Sequence, residues 1–150
     1  MWLAFALVFA VYNSRRMDGV TMGTPAYMSP EQASGNGELD ARSDIYCLGA
    51  VAYFLLTGQP PFVRDSAMRT VAAHLLEPLP SLGVVRADLP ADLQAVVHRC
   101  LEKEPSQRFP DCQELGAALA ACACAADWGP SQANAWWATR RDQAGTGFSC

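Results

Sequence analysis

Residues 43–57 form a helix-length segment in which apolar side chains occupy every face. A helix that is apolar all round is typical of the interior of a fold, so this segment predicts a central helix. Gly58 follows it directly, and two prolines shortly afterwards prevent the helix from continuing. One face carries Ile45, Leu48, Ala52, Leu55 and Leu56, while Val51, Tyr53 and Phe54 fill the others.

The other periodic segments of the chain are also helical in spacing. No segment alternates apolar and polar residues as a half-buried strand does, and there is no internal repeat. The predicted fold class is therefore mainly α, a small helical cluster around residues 43–57. In the last helix of this cluster, Leu115, Ala118, Leu119 and Cys122 are predicted to face inward. The surrounding helices are predicted at 29–33, 65–76, 90–101 and 111–125, with a short helical piece at 135–140.

Composition excludes several classes of function. Hydrophobic residues make up 51% of the chain and charged residues 17%, which is enough to bury a core and argues against intrinsic disorder. The net charge is −4 and the basic residues are scattered, so nucleic-acid binding is not expected. Lys103 is the only lysine, so chemistry that needs several lysines is excluded.

The six cysteines and two histidines lack the spacing of a metal site. Most of the cysteines lie in apolar helical segments, which predicts buried, reduced thiols. A reducing, cytoplasmic location fits that cysteine usage.

An uncharged, apolar run occupies residues 2–12. As a helix it would span about 16 Å, against a hydrocarbon core of about 30 Å, so it predicts no membrane span. Arg15 and Arg16 follow the run instead of preceding it, which does not favour a secretion signal. A buried strand or helix and a start placed upstream of the true reading frame both remain open interpretations.

Three short motifs occur in a fixed order along the chain. They read GTPAYMSPEQ at residues 23–32, SDIYCLG at residues 43–49 and EPSQRF at residues 104–109. Together they resemble the C-terminal lobe of a protein kinase domain, most closely that of bacterial Ser/Thr kinases of the eukaryotic type. The resemblance implies a helical C-lobe with the N-lobe β-sheet missing, hence a truncated domain. It divides the chain into a divergent segment at 1–20, a partial kinase domain with a five-helix lobe at 21–125, and a tail at 126–150.

The resemblance assigns roles to individual residues. It implies that Gly23, Thr24, Pro25 and Tyr27 form the loop that receives the substrate residue after the phosphoacceptor, the P+1 loop. Ser29-Pro30-Glu31 is similar to the family's Ala-Pro-Glu signature.

Further roles follow from the same resemblance. Glu31 would pair with Arg108 in a buried ion pair. Asp44 would anchor the catalytic loop, although an aspartate in a first helical turn is also stabilised by the helix dipole alone. Thr21 is a candidate phosphorylation site, with a plain polar loop residue as the alternative.

The chain lacks the other parts that phosphoryl transfer requires. No glycine-rich loop, no HRD and no DFG occur, and Lys103 lies far beyond the activation segment, where it does not anchor a nucleotide. We therefore expect no catalytic residue, no metal ligand and no bound cofactor in this chain, although the family uses ATP and Mg²⁺. Electrostatic stabilisation of the transferred phosphate would be lost.

Two kinds of function remain for such a chain. The first is a partial Ser/Thr protein kinase domain that is catalytically incompetent alone. The second is a non-catalytic module that binds a partner protein at the P+1 groove, or one half of a pair completed by a separate N-lobe. The partner in either case is a protein, with neither nucleic acid nor a membrane span expected.

Overall fold

The computed structural model describes residues 24–35 and 39–145. Every regular element in these residues is helical, which confirms the prediction of a mainly α fold. The α-helices are α1 (Pro30–Ser34), α2 (Ala41–Thr57), α3 (Ala67–Leu76), α4 (Leu82–Val85), α5 (Ala91–Cys100), α6 (Cys112–Ala120) and α7 (Pro130–Gly145), with 3-10 turns at Pro25–Tyr27 and Pro105–Gln107.

The ends of α2 are set by local chemistry. Asp40 accepts a hydrogen bond from the backbone N–H of Arg42 at 2.8 Å, which caps the helix N-terminus. At the other end Gly58 adopts φ +79°, a left-handed conformation that glycine reaches without strain. The predicted central helix therefore exists, and it begins two residues earlier than its apolar pattern.

The core lies on one side of α2 in two apolar clusters. One joins α2 to α4 and α5, and the other joins α2 to the 109–115 region. Gly49 permits the close approach of α2 and α5, since a Cβ there would lie 2.6 Å from Cβ of Cys100. The larger cluster contains Tyr46, Ala50, Tyr53, Leu82, Leu89, Val97 and Leu101, and the smaller contains Ile45, Cys100, Phe109 and Leu115.

Several details of the predicted helices are wrong. The structure adds the short helix α4, and α6 ends at Ala120, not at residue 125. Leu119 is 40% exposed, whereas Leu115 and Ala118 of the same helix pack against the smaller cluster. The helical piece in the tail covers 130–145, because Pro130 starts a run that contains no further proline and only one terminal glycine.

The expectation that α2 is covered on all faces also fails within the described residues. Leu48 is 43% exposed and Leu55 is 67% exposed, because the described helices pack against the opposite face.

The described cysteines are all free thiols. Cys100 and Cys122 are buried as predicted, Cys47 and Cys124 are partly buried, and Cys112 is exposed. Cys112 is exposed because it opens α6 on the solvent side, so burial does not hold for every cysteine.

Some predictions concern residues outside the described ranges. The apolar run 2–12 and the candidate phosphorylation site Thr21 both precede Thr24. Within the ranges that are described, no helix is long and apolar enough to cross a membrane.

Candidate functional site

Thr24, the second of the predicted P+1 residues, lies at the surface directly before the 3-10 turn at Pro25–Tyr27. Thr24 is exposed and extended, and its carbonyl accepts a hydrogen bond from the N–H of Tyr27 at 3.1 Å. Pro25 opens the turn, where its fixed φ and missing N–H cost nothing. The Tyr27 ring packs edge-on against Phe54 of α2, with 6.4 Å between ring centroids. Gly23, the first predicted member of this loop, lies outside the described residues.

Helix α1 begins with a reciprocal cap. The N–H of Gln32 donates to Oγ of Ser29 at 3.3 Å, and the N–H of Ser29 donates to Oε1 of Gln32 at 3.0 Å. Pro30 occupies the first helical position, and Gly35 ends the helix at φ +67°. This cap fixes the direction of Glu31, which stands in the first turn.

Glu31 and Arg108, which are 77 positions apart, form a buried bidentate ion pair. Nη1 and Nη2 of Arg108 donate to the two carboxylate oxygens of Glu31 at 2.7 and 2.9 Å. Side-chain exposure is 0% for Arg108 and 9% for Glu31. Burial raises the pKa of Glu31, but the hydrogen bonds from Arg108, the further hydrogen bonds to the carboxylate and the charge of Arg108 together outweigh burial and lower the pKa to about 2.

Arg108 also satisfies backbone carbonyls from two other segments. Its guanidinium donates to the carbonyl oxygens of Arg42, Glu102 and Lys103 at 2.9, 2.8 and 2.9 Å. Its carbon Cζ lies 4.8 Å from the ring centroid of Tyr46. One side chain therefore joins α1, the start of α2 and the turn before α6. The fork geometry of guanidinium makes this possible.

A second buried group lies beside this ion pair. The hydroxyl of Tyr46 and Nδ1 of His74 are 2.9 Å apart, and both residues are fully buried. Burial, followed by the charge of Lys103, lowers the pKa of His74 to about 4, so the ring is neutral at pH 7. Sequence reasoning gave His74 no role, although Thr70, Ala73 and His74 share the helical spacing of a buried face.

The ammonium group of Lys103 interacts with the C-terminal end of α3. Its Nζ donates to the carbonyl oxygen of His74 at 2.7 Å and lies 4.4 Å from the ring centroid of Phe62. Burial lowers the pKa of Lys103 to about 8. The ammonium thus interacts with the C-terminal carbonyls of a helix, which favour a positive charge.

An open cavity of about 280 Å³ lies between the exposed turn and the start of α3. Thr24, Pro25 and Ala26 form one wall, and residues 62–67 with Thr70 form the other. Arg64 lies in this second wall and is held there by a salt bridge to Glu77. The cavity is of a size that takes a side chain, and the wall nearest the turn includes the apolar residues Pro25 and Ala26.

The remaining predicted residue is Asp44. Asp44 lies in the first turn of α2 and is exposed. Its assigned role toward the catalytic loop stays a prediction. Among residues 24–35 and 39–145, no three His, Cys, Asp or Glu side chains come together as a metal site could require.

Known proteins are similar to this chain over the region that contains the three motifs. The family profile described as protein kinase domain matches residues 5–118. That range is more than half of the chain and contains all three motifs. The chain belongs to the protein kinase family.

Individual relatives of this kinase chain are bacterial Ser/Thr kinases. The DNA damage-responsive serine/threonine-protein kinase RqkA of Deinococcus radiodurans is 43% identical over 118 residues, 77% of this chain and 17% of the relative. PksC of Streptomyces coelicolor is 42% identical over 97 residues, 65% of this chain and 17% of the relative. PknB of Mycobacterium tuberculosis is 44% identical over 108 residues, 71% of this chain and 17% of the relative. The kinase chain therefore spans about a sixth of the length of these relatives.

Proposed function

We propose that this kinase chain provides the protein-binding part of a Ser/Thr protein kinase domain and does not transfer phosphate by itself. The observation that carries the proposal is the turn at Thr24, which is exposed beside a cavity while α1 behind it is pinned by the Glu31–Arg108 pair. A rigid support with an accessible loop is the arrangement that a binding site needs.

The shape of the site supports a protein segment as the ligand. The wall at Thr24–Ala26 offers backbone groups and small side chains, and the opposite wall includes Phe62 and Val63. An extended protein segment could place one side chain in the cavity and run its backbone along the turn. The relatives named above are Ser/Thr kinases, which supports a Ser- or Thr-containing segment as the ligand.

Catalytic incompetence of the chain alone is supported by its residue inventory. The sequence has no glycine-rich phosphate loop, no HRD and no DFG, and the ammonium of Lys103 is engaged at the end of α3. Phosphoryl transfer depends on positioning and charge stabilisation by those groups. The proposed kinase portion is residues 21–125, followed by a tail at 126–150.

A reducing location is part of the same proposal. All the described cysteines are free thiols, and disulfides are rare in the cytoplasm. These two facts support a cytoplasmic protein.

A peptide array tests the binding half of the proposal. We expect the chain to select among peptides that vary around a central Ser or Thr, because the cavity accepts only some side chains. Ala67→Trp fills the cavity from its exposed rim and should abolish the selection. Ala91→Trp, at the first position of α5, is the matched control and should retain it. Equal binding by both variants would place the ligand elsewhere.

Thermal melting tests the catalytic half. We expect the same melting temperature with and without Mg-ATP, because a ligand raises the melting temperature only when it binds the folded state. ATP alone and Mg²⁺ alone are the controls for the chain. A complete kinase domain from one of the relatives should shift under the same conditions. A magnesium-dependent rise for this chain would contradict the proposal.

A further inference from the structure

A second cavity, of about 240 Å³, lies between the C-terminal end of α2 and helix α4. It shares only Val63 and Arg64 with the cavity beside Thr24, so the two are separate spaces. Among the described residues that line it, Arg64 alone carries a charge. The apolar part of its lining is formed by Pro60, Pro61, Pro80, Val63 and Val85.

The hydroxyl of Tyr53 is an unused hydrogen-bonding group at this cavity. Tyr53 lines the cavity and belongs to the larger core cluster, and only 3% of its surface is exposed. Within residues 24–35 and 39–145, no residue forms a hydrogen bond with this hydroxyl. Thr57, one turn further along α2, donates to the backbone carbonyl of Tyr53 instead. A buried tyrosine hydroxyl normally has a partner, so a molecule in the cavity would supply the missing one.

The charge of Arg64 is already balanced within the protein. Its Nε and Nη2 donate to the two carboxylate oxygens of Glu77, and its Nη1 donates to the carbonyl oxygen of Val63 at 2.7 Å. A charged ligand would therefore lose its hydration without meeting an unpaired counter-charge, which is costly. The lining consequently favours a neutral molecule with an apolar body.

We propose that this cavity binds a small neutral molecule with one aromatic ring and a carboxamide group, whose oxygen accepts a hydrogen bond from the hydroxyl of Tyr53. An apolar cavity of about 150 Å³ takes a benzene molecule, so this larger one holds a single ring and one small polar group. Proline rings pack well against aromatic rings, as in the recognition of proline-rich segments. The three prolines of the lining thus favour an aromatic body for the ligand.

The two uncharged polar side chains Tyr53 and Gln59 suit a carboxamide in particular. Burial raises the pKa of Tyr53, so the hydroxyl keeps its proton at neutral pH and donates a hydrogen bond. The exposed side chain of Gln59 also lines the cavity, and its amide oxygen accepts bonds of the kind that a carboxamide nitrogen donates. A ketone or an ester would use only the first of these groups. This site does not depend on peptide binding beside Thr24.

Two-dimensional proton–nitrogen NMR of the full chain, titrated with benzamide, tests the site. We expect the backbone amide signals of Thr57, Gln59 and Val85 to shift and to saturate at millimolar benzamide. The signals of Ala26 and Thr70, which line only the cavity beside Thr24, should not shift. Toluene supplies the ring without the carboxamide, and benzoate supplies it with a charge. Both should bind more weakly than benzamide.

Tyr53→Phe removes only the proposed donor. We expect benzamide to bind this variant about three- to tenfold more weakly, the usual loss for one hydrogen bond, while toluene binds it as tightly as the parent. The variant should melt at or above the parent temperature, since its hydroxyl has no partner to lose among the residues that the structure describes. Thr139→Val, which removes a hydroxyl from α7, is the matched control and should bind benzamide like the parent.

A second pair of variants tests the location of the bound molecule. Val85→Trp places an indole at the cavity and should abolish benzamide binding. Val85 is 53% exposed, so the larger side chain does not have to enter the core. Val84→Trp is the control and should retain binding, because Val84 is 86% exposed and does not line the cavity.

Any of four results would overturn the proposal. The first is the absence of a saturable shift at this cavity, and the second is a shift confined to the cavity beside Thr24. The third is an unchanged affinity of Tyr53→Phe for benzamide. The fourth is benzoate binding at least as tightly as benzamide, which would assign the cavity to anions that compete with Glu77 for Arg64.

Discussion

Glu31→Ala should lower the free energy of unfolding by about 3–5 kcal/mol, because it leaves the guanidinium of Arg108 buried without its counter-charge. Arg108 has no exposed side-chain surface through which water could replace the carboxylate. Its three remaining hydrogen bonds, to the carbonyls of Arg42, Glu102 and Lys103, satisfy donors but supply no negative charge. Urea unfolding followed by circular dichroism measures the change.

Asp65→Ala is the matched control for this variant. It removes the carboxylate of the Arg69–Asp65 pair, whose side chains are 72% and 70% exposed. Exposed pairs contribute about 0–1 kcal/mol, so the control should unfold close to the parent. Similar midpoints for the two variants would mean that the buried pair does not support the lobe.

The pH dependence of stability gives a second measurement of what the Glu31–Arg108 pair contributes to the fold. The pKa of Glu31 is about 2 in the folded chain against an ordinary value of 4.5, so the carboxylate stabilises the fold above about pH 4.5. That contribution should disappear as the pH falls from about 4.5 to about 2. Glu31→Gln has no such titration, and its stability curve should lack this part of the acid loss. Parallel curves for parent and variant would contradict the assignment.

Gly49→Ala should destabilise the chain by about 1–3 kcal/mol, although alanine favours helix formation over glycine by about 1 kcal/mol. The new Cβ would lie 2.6 Å from Cβ of Cys100 and 3.2 Å from Cγ of Leu101. Cβ of Cys100 is fixed to the backbone of α5, so relief of the clash requires α2 and α5 to separate. Such a shift would loosen the larger core cluster at Leu101.

Gly116→Ala is the matched control, because it should stabilise the chain whereas Gly49→Ala should destabilise it. Gly116 lies inside α6 and has no atom within 4 Å of its added Cβ. This variant should gain about 0.5–1 kcal/mol from helix propensity alone. If both variants changed stability in the same direction, close packing at Gly49 would not be the cause.

The sequence alone determined the helical class of this protein and its family. Apolar spacing in 43–57 requires a helix, and glycine and proline end it regardless of what packs nearby. The three motifs are local strings whose residues can be read without coordinates. Hence the mainly α fold and the kinase family were both predicted before any contact was known.

Tertiary structure alone decided which faces of those helices are covered and how the site is joined. Periodicity gives the apolar face of a helix but contains no information on whether a neighbour exists, so the exposure of Leu55 and Leu119 was not predictable. The burial of His74 and the carbonyl contacts of Arg108 depend on residues far apart in the chain. Local pattern fixes backbone conformation over a few residues, whereas burial and charge pairing are properties of distant segments brought together by folding.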